Sequence, residues 1–143
     1  MNDPFQLDRF VAAQDRVYAQ VLAELRAGEK RSHWMWFVFP QLAGLGSSPM
    51  ARRYALSGAV EARAYLAHPV LGARLKECTR LVLEAPARSV GEFFGHPDDF
   101  KLRSCLTLFA ALAPDEPVFA AALRRWFDGR GDPRTLELLS GAA

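Results

Sequence analysis

The sequence predicts an all-α fold of about seven to nine short helices, and three observations carry that prediction. Apolar residues recur at steps of three and four along most of the chain, which is the spacing of one helical face. Turn or capping residues followed by proline punctuate it, as at Ser48-Pro49, His68-Pro69 and Asp132-Pro133. Alternating β-branched runs and Asn-Gly hairpins, the marks of paired strands, are missing.

The elements follow in order. Leu7, Phe10, Val11, Gln14, Tyr18, Val21, Leu22 and Leu25 form the first buried stripe, with Asp8, Arg9, Asp15, Arg16, Glu24 and Arg26 mostly on the other side. Gly28 ends it, being tolerant of the left-handed conformation, and Asp15 allows a restart after a break near Gln14. Gln14 itself reads as a satisfied core amide. Ser32 is the expected N-cap of a short helix through Phe39, which Pro40 terminates. Residues 41–48 read as a loop whose Gly44 and Gly46 permit close backbone approach, without a full phosphate-cradling pattern.

Ser48-Pro49 opens a helix to about Leu56, and Ser57 caps another to about Ala67. Leu71, Leu75, Cys78, Leu81 and Val82 line the helix after His68-Pro69. Ser89 with Glu92 is a capping-box pair for a short helix ending at Gly95. Asp98 is the expected cap of a helix carrying Leu102, Cys105, Leu106, Phe109 and Leu112 inward. Pro117 and Pro133 start the last two, with Phe119, Leu123, Trp126 and Phe127, then Leu136 and Leu139, as apolar positions.

Half of the 143 residues are apolar and about a quarter charged, which suits one globular domain over 1–143 with frayed ends at 1–4 and 141–143. A net charge of +2, with no dense Lys/Arg cluster, leaves nucleic-acid binding unsupported. Cys78 and Cys105 are far apart and sit on or beside apolar faces, so they read as reduced, small hydrophobes. The first residues carry no basic-then-apolar leader pattern, and the apolar runs fall far short of the ~20 residues that span a bilayer. A cytoplasmic location without membrane partners is expected; the oligomeric state is open.

Chemistry-bearing residues concentrate in residues 32–41, where His33, Trp34, Trp36 and Gln41 lie among Met35, Phe37, Val38 and Phe39. A segment this apolar must be buried, yet its polar atoms need partners. It is a core plug or the wall of a ligand pocket, and both readings stand. Glu61 lies one turn before Tyr65 on one helical face. Asp98, Asp99 and Lys101 begin a helix that also carries Ser104 and Thr107, and a helix start suits an anion as well as a plain cap. No local base accompanies Ser104 as a nucleophile. His33, His68 and His96 are isolated, without HExxH or CxxC spacing, so neither a metal nor a cofactor is expected. Turn or capping roles suit His68 and His96.

A family resemblance joins these residues. Phe5, Leu7, Arg9-Phe10, Ala13-Gln14, residues 32–41, Gly44-Leu45-Gly46 and Tyr54 form an ordered series. Glu61-Ala62, Tyr65-Leu66, His68-Pro69, Leu71-Gly72, Arg74-Leu75, Lys101, Ser104 and Thr107 to Phe109 continue it. Over nearly its whole length the chain resembles the bacterial domain of unknown function 1810, which implies a small, mainly helical domain and no established activity. The calpastatin-like label sometimes attached to such sequences implies a disordered chain, which a half-apolar, helix-patterned sequence contradicts. Glu61-Ala62, residues 68–72 and Lys101 to Ser104 are also similar to the YbiA-like family associated with ADP-ribose derivatives, although that family's Glu-His opening motif is replaced here by Ser32-His33-Trp34.

Three functions follow. The first is binding of a small polar or anionic, nucleotide-like ligand in a pocket lined by His33, Trp34, Trp36, Gln41, Tyr54, Glu61, Tyr65, Lys101 and Ser104. The second, implied by the latter resemblance, is an enzyme acting on an ADP-ribose or NAD-derived substrate, with Glu61 as acid/base and Lys101 contacting phosphate. The third is a helical protein-interaction module without catalysis, anchored by Trp34 and Trp36.

Overall fold

The computed structural model describes residues 3–141; of the predicted frayed ends, residues 1, 2, 142 and 143 lie outside the described residues. Ten α-helices and no strand are found among the described residues. They are α1 (Asp8–Asp15), α2 (Tyr18–Ala27), α3 (Met35–Val38), α4 (Pro49–Arg53) and α5 (Ala59–Ala67), then α6 (Leu71–Glu84), α7 (Val90–Phe94), α8 (Asp98–Leu112), α9 (Pro117–Phe127) and α10 (Pro133–Gly141). The count exceeds the predicted range because the first stripe breaks after Asp15.

Local chemistry explains most boundaries. The Asp3 carboxylate accepts from the amides of Leu7 and Asp8, which fixes the first turn. Gly28 closes α2 at φ 72°, the left-handed geometry expected of it. Ser48 and Ser89 accept from Ala51 and Glu92 amides as N-caps. His68 acts at the start of α6, where its Nδ1 accepts from the amides of Val70 and Leu71 at 3.1 and 3.2 Å. The loop of residues 41–48 folds back on Leu56, with Ala43 N donating to Leu56 O and Leu56 N to Gln41 O.

Three predicted caps are corrected. The N-cap of α3 is Trp34, because the Ser32 hydroxyl is drawn away to Glu24 at 2.5 Å. The helix is correspondingly reduced to a single turn. Gly58 rather than Ser57 occupies the N-cap of α5; Ser57 instead donates its amide and hydroxyl to Glu61, both at 2.8 Å. Pro97 precedes α8, and Asp98 lies inside its first turn, bound to Lys30 at 2.8 Å.

Helix α8 runs through the middle, with Leu102, Cys105, Leu106, Leu108 and Phe109 fully buried. It packs on α9, α10, α7 and α5, while α6 packs on α9, α5 and α2, and α1 covers α3. Gly72 lets α6 meet the end of α5: a Cβ there would lie 2.0 Å from Leu66 O. Cys78 and Cys105 are buried free thiols, and burial pushes both up, well above an ordinary thiol. No described helix is long and apolar enough to cross a membrane.

Candidate functional site

The ring-rich segment divides its polar atoms between two environments. On one side stands Glu24, a buried α2 carboxylate that the helical stripe had assigned to the polar face. Its Oε1 accepts from the amides of Arg31 and Ser32 and from Trp34 Nε1, at 2.8, 3.1 and 2.9 Å. Its Oε2 accepts from Gln20 Nε2 at 2.7 Å and from the Ser32 hydroxyl. Burial alone would push this carboxyl up, but the bonds from Ser32, Arg31, Gln20 and Trp34 outweigh it and hold the group at about 2. Lys30 closes the assembly by donating to Ser32 O and pairing with Asp98.

Three of the predicted pocket residues belong to this kind of saturated core. Trp34 is 1% exposed and spends its only donor on Glu24. Tyr65 is fully buried, its hydroxyl 3.0 Å from Gln14 Nε2, which also donates to Phe37 O at 2.6 Å; burial pushes its phenol far up. Gln14 is thus the satisfied core amide the sequence implied, with Arg74 donating to its oxygen. Glu61 accepts from Ser57 and pairs with Arg9 at 3.1 Å. The same guanidinium donates to the carbonyls of Phe5, Arg53 and Ala55, tying the start of α1 to α4 and α5. Glu61 is therefore a clamp. The expected pairing of Glu61 with Lys101 in one pocket is not found, since neither Glu61, Trp34 nor Tyr65 lines a described cavity bordered by Lys101.

The remaining six residues do come together, and Lys101 is their centre. A cavity of about 400 Å³ is bordered by Gln41, Gly46, Phe100, Lys101, Ser104 and Asp132 among others. A second, of about 310 Å³, is bordered by His33, Trp36, His96, Asp98 and Lys101, with His33 exposed at its rim. Between them a narrow space of about 10 Å³ meets Trp36, Gln41, Tyr54 and Lys101. The first turn of α8 supplies Lys101, α3 supplies Trp36, and the loop after Pro40 supplies Gln41. Gly46 leaves room for that loop, since a Cβ there would lie 2.7 Å from Ala51 Cβ and 3.2 Å from Gln41 Nε2.

Electrostatically this groove is unfinished. The Lys101 ammonium lies 5.1 Å from the Trp36 ring centroid and 3.6 Å from Asp98, with no acceptor at hydrogen-bonding distance among the described residues. Trp36 Nε1 is buried and has no partner among the described residues, whereas Trp126 Nε1 donates to Val82 O at 2.9 Å. Ser104 serves the scaffold: its hydroxyl lies 3.1 Å from Phe100 O and 3.2 Å from Asp132 Oδ2. Asp132 in turn accepts from the Thr135 amide and hydroxyl at the start of α10.

Sequence reasoning missed Phe100, Arg103, Asp132 and Arg134 as walls of this groove. Arg103 holds the loop before α10 through the carbonyls of Arg130 and Gly131, both at 2.9 Å. No group of three or more His, Cys, Asp or Glu side chains suited to a metal ion occurs among the described residues.

The chain is similar to a solved structure, the conserved hypothetical protein Rv1873 from Mycobacterium tuberculosis. Identity is 56%, the alignment covers 96% of this chain and 99% of that one, and the TM-score is 0.94. No curated protein matches. The family model described as "Protein of unknown function (DUF1810)" matches residues 4–139, and the chain belongs to that family.

Proposed function

We propose that this protein binds a small anionic organic ligand in the groove around Lys101. One observation supports the reading above the others: Lys101 borders all three adjoining spaces, while its ammonium has no hydrogen-bond acceptor among the described residues. A cation fixed beside an aromatic face and largely enclosed gains more from an anion than one in open water. Phe100 is 59% exposed beside it and offers an apolar surface for the ligand's ring or chain. Arg134 adds a further positive charge at the same cavity. A volume of about 400 Å³ falls in the range of ordinary small-molecule sites.

The test is ligand-induced stabilisation. Melting is followed in the presence of a panel of carboxylates, phosphate esters and mononucleotides, for the wild type and Lys101→Met. A saturable rise in melting temperature that disappears in Lys101→Met is the expected outcome. The same rise in both proteins, or none with any compound of the panel, contradicts the reading.

A further inference from the structure

Lys101 is not the only cation at the cavity of about 400 Å³; Arg103 and Arg134 border it as well. On α8 the bordering residues Phe100, Lys101, Arg103 and Ser104 share one broad helical face. At 3.6 residues per turn, Phe100 and Ser104 fall in the middle of that face, with Lys101 and Arg103 on its two flanks. Arg134, in the first turn of α10, borders the same space from the neighbouring helix.

Arg103 is the most firmly set of the three. Its Nε and Nη2 donate to the carbonyls of Arg130 and Gly131, both at 2.9 Å. A guanidinium carries five N–H donors, so three remain, and none of them has an acceptor among the described residues. Arg134 is held loosely: its Nη1 lies 3.2 Å from Glu137, and both side chains are exposed.

The acids are fewer and already engaged. Asp132 is the one carboxylate at this wall, and its Oδ2 accepts from the Ser104 hydroxyl and from the Thr135 amide and hydroxyl. Asp98 stands 3.6 Å from Lys101 but makes its close pair with Lys30, at 2.8 Å, and borders a different cavity. Three cationic side chains against one carboxylate leave the wall with a formal surplus of two positive charges.

Oxygen count and charge then separate the classes of anion. A carboxylate brings two oxygens and one charge. A phosphate monoester brings three terminal oxygens and between one and a half and two negative charges near pH 7, to within about a tenth of a charge. It can meet an ammonium and two guanidinium groups together, and arginine's planar fork suits its geometry.

We propose that the groove takes a phosphate monoester, with Arg103 and Arg134 sharing the phosphoryl oxygens with Lys101. The ester oxygen leads to an apolar body that lies over Phe100, Leu45 and Pro97. This rests on the reading of the groove as an anion site and names the anion.

The experiment is calorimetric titration with phenyl phosphate and with benzoate, which carry the same ring on different heads. Arg103 also holds the loop before α10, so the test variant is Arg134→Gln, whose side chain is exposed and bonded only to Glu137. Phenyl phosphate binds the wild type at least about fivefold more tightly than benzoate, and Arg134→Gln weakens phenyl phosphate at least about threefold and benzoate by less.

A smaller preference for phenyl phosphate, or a preference for benzoate, overturns the choice of phosphate and leaves the anion site standing. A smaller loss in Arg134→Gln, or equal losses for the two probes, overturns the shared arrangement of cations. Binding of neither probe to the wild type overturns the anion site as well.

Discussion

Trp34 and Trp36 stand two residues apart in one turn of chain, yet their indoles meet opposite conditions. Trp34 is sealed in the core with its N–H on the Glu24 carboxylate. Trp36 is half-buried, its N–H covered but unpaired, with a lysine over its ring. The contrast extends to whole regions. Around Glu24, Gln14 and Glu61 each described polar side chain has found its partners, as a buried network must. Around Lys101, the ammonium stands 3.6 Å from Asp98 and the Trp36 N–H has no partner among the described residues. The difference separates residues whose polar atoms are satisfied within the fold from the residues proposed to meet a ligand.

Removing the hub of the saturated region is expected to have the largest effect. Glu24→Leu strands five donor groups at once, and urea denaturation should show a loss of roughly 3–5 kcal/mol. A loss under about 1 kcal/mol would erase the contrast.

The same carboxylate sets an acid limit. Its folded pKa of about 2 lies below the ordinary 4.5 of a free glutamate, so its contribution is full above 4.5 and disappears as pH falls through about 2. A shift of that size is worth on the order of 3 kcal/mol. The stability gap between wild type and Glu24→Gln should therefore narrow on acidification from pH 4.5 toward 2; a gap that stays constant contradicts the network.

Glu61→Gln comes next. It weakens the clamp to Arg9 and Ser57 by about 1–3 kcal/mol while leaving the anion-induced rise in melting temperature proposed for Lys101 unchanged, measured by denaturation and thermal shift. An affinity loss matching that of Lys101→Met would return Glu61 to the site. Lys101→Met should be the mildest for folding, within about 0.5 kcal/mol, because its one ion pair, with Asp98, is long at 3.6 Å and partly exposed.

The helical class and most boundaries were legible because they are encoded locally. Gly28, Ser48-Pro49, Ser89 with Glu92, and Pro117 each act on the turn beside them. Ser32 misled because its hydroxyl is claimed by Glu24, eight residues back and on another helix. Glu24 was itself obscured by an ordinary rule, that a charged residue beside an apolar stripe faces water; its position three residues after Val21 and one before Leu25 was the available hint.

Among the site residues, His33, Trp36, Gln41, Tyr54, Lys101 and Ser104 meet around one groove, whereas Trp34, Glu61 and Tyr65 do not. Residue type alone does not separate a donor with a partner from one without. Phe100 and Asp132 join the groove through the packing of α10 against α8, which no local pattern records.

The division is tested most directly by equilibrium denaturation of Trp34→Phe and Trp36→Phe side by side. The chemical change is identical; the burial of the ring and the partner of the lost N–H differ. Trp34→Phe should lose about 2–4 kcal/mol, because a buried carboxylate gives up a donor and the core gives up volume. Trp36→Phe should stay within about 1 kcal/mol of wild type, since the N–H it removes had no partner. Equal losses, or a larger loss at Trp36, would contradict the account.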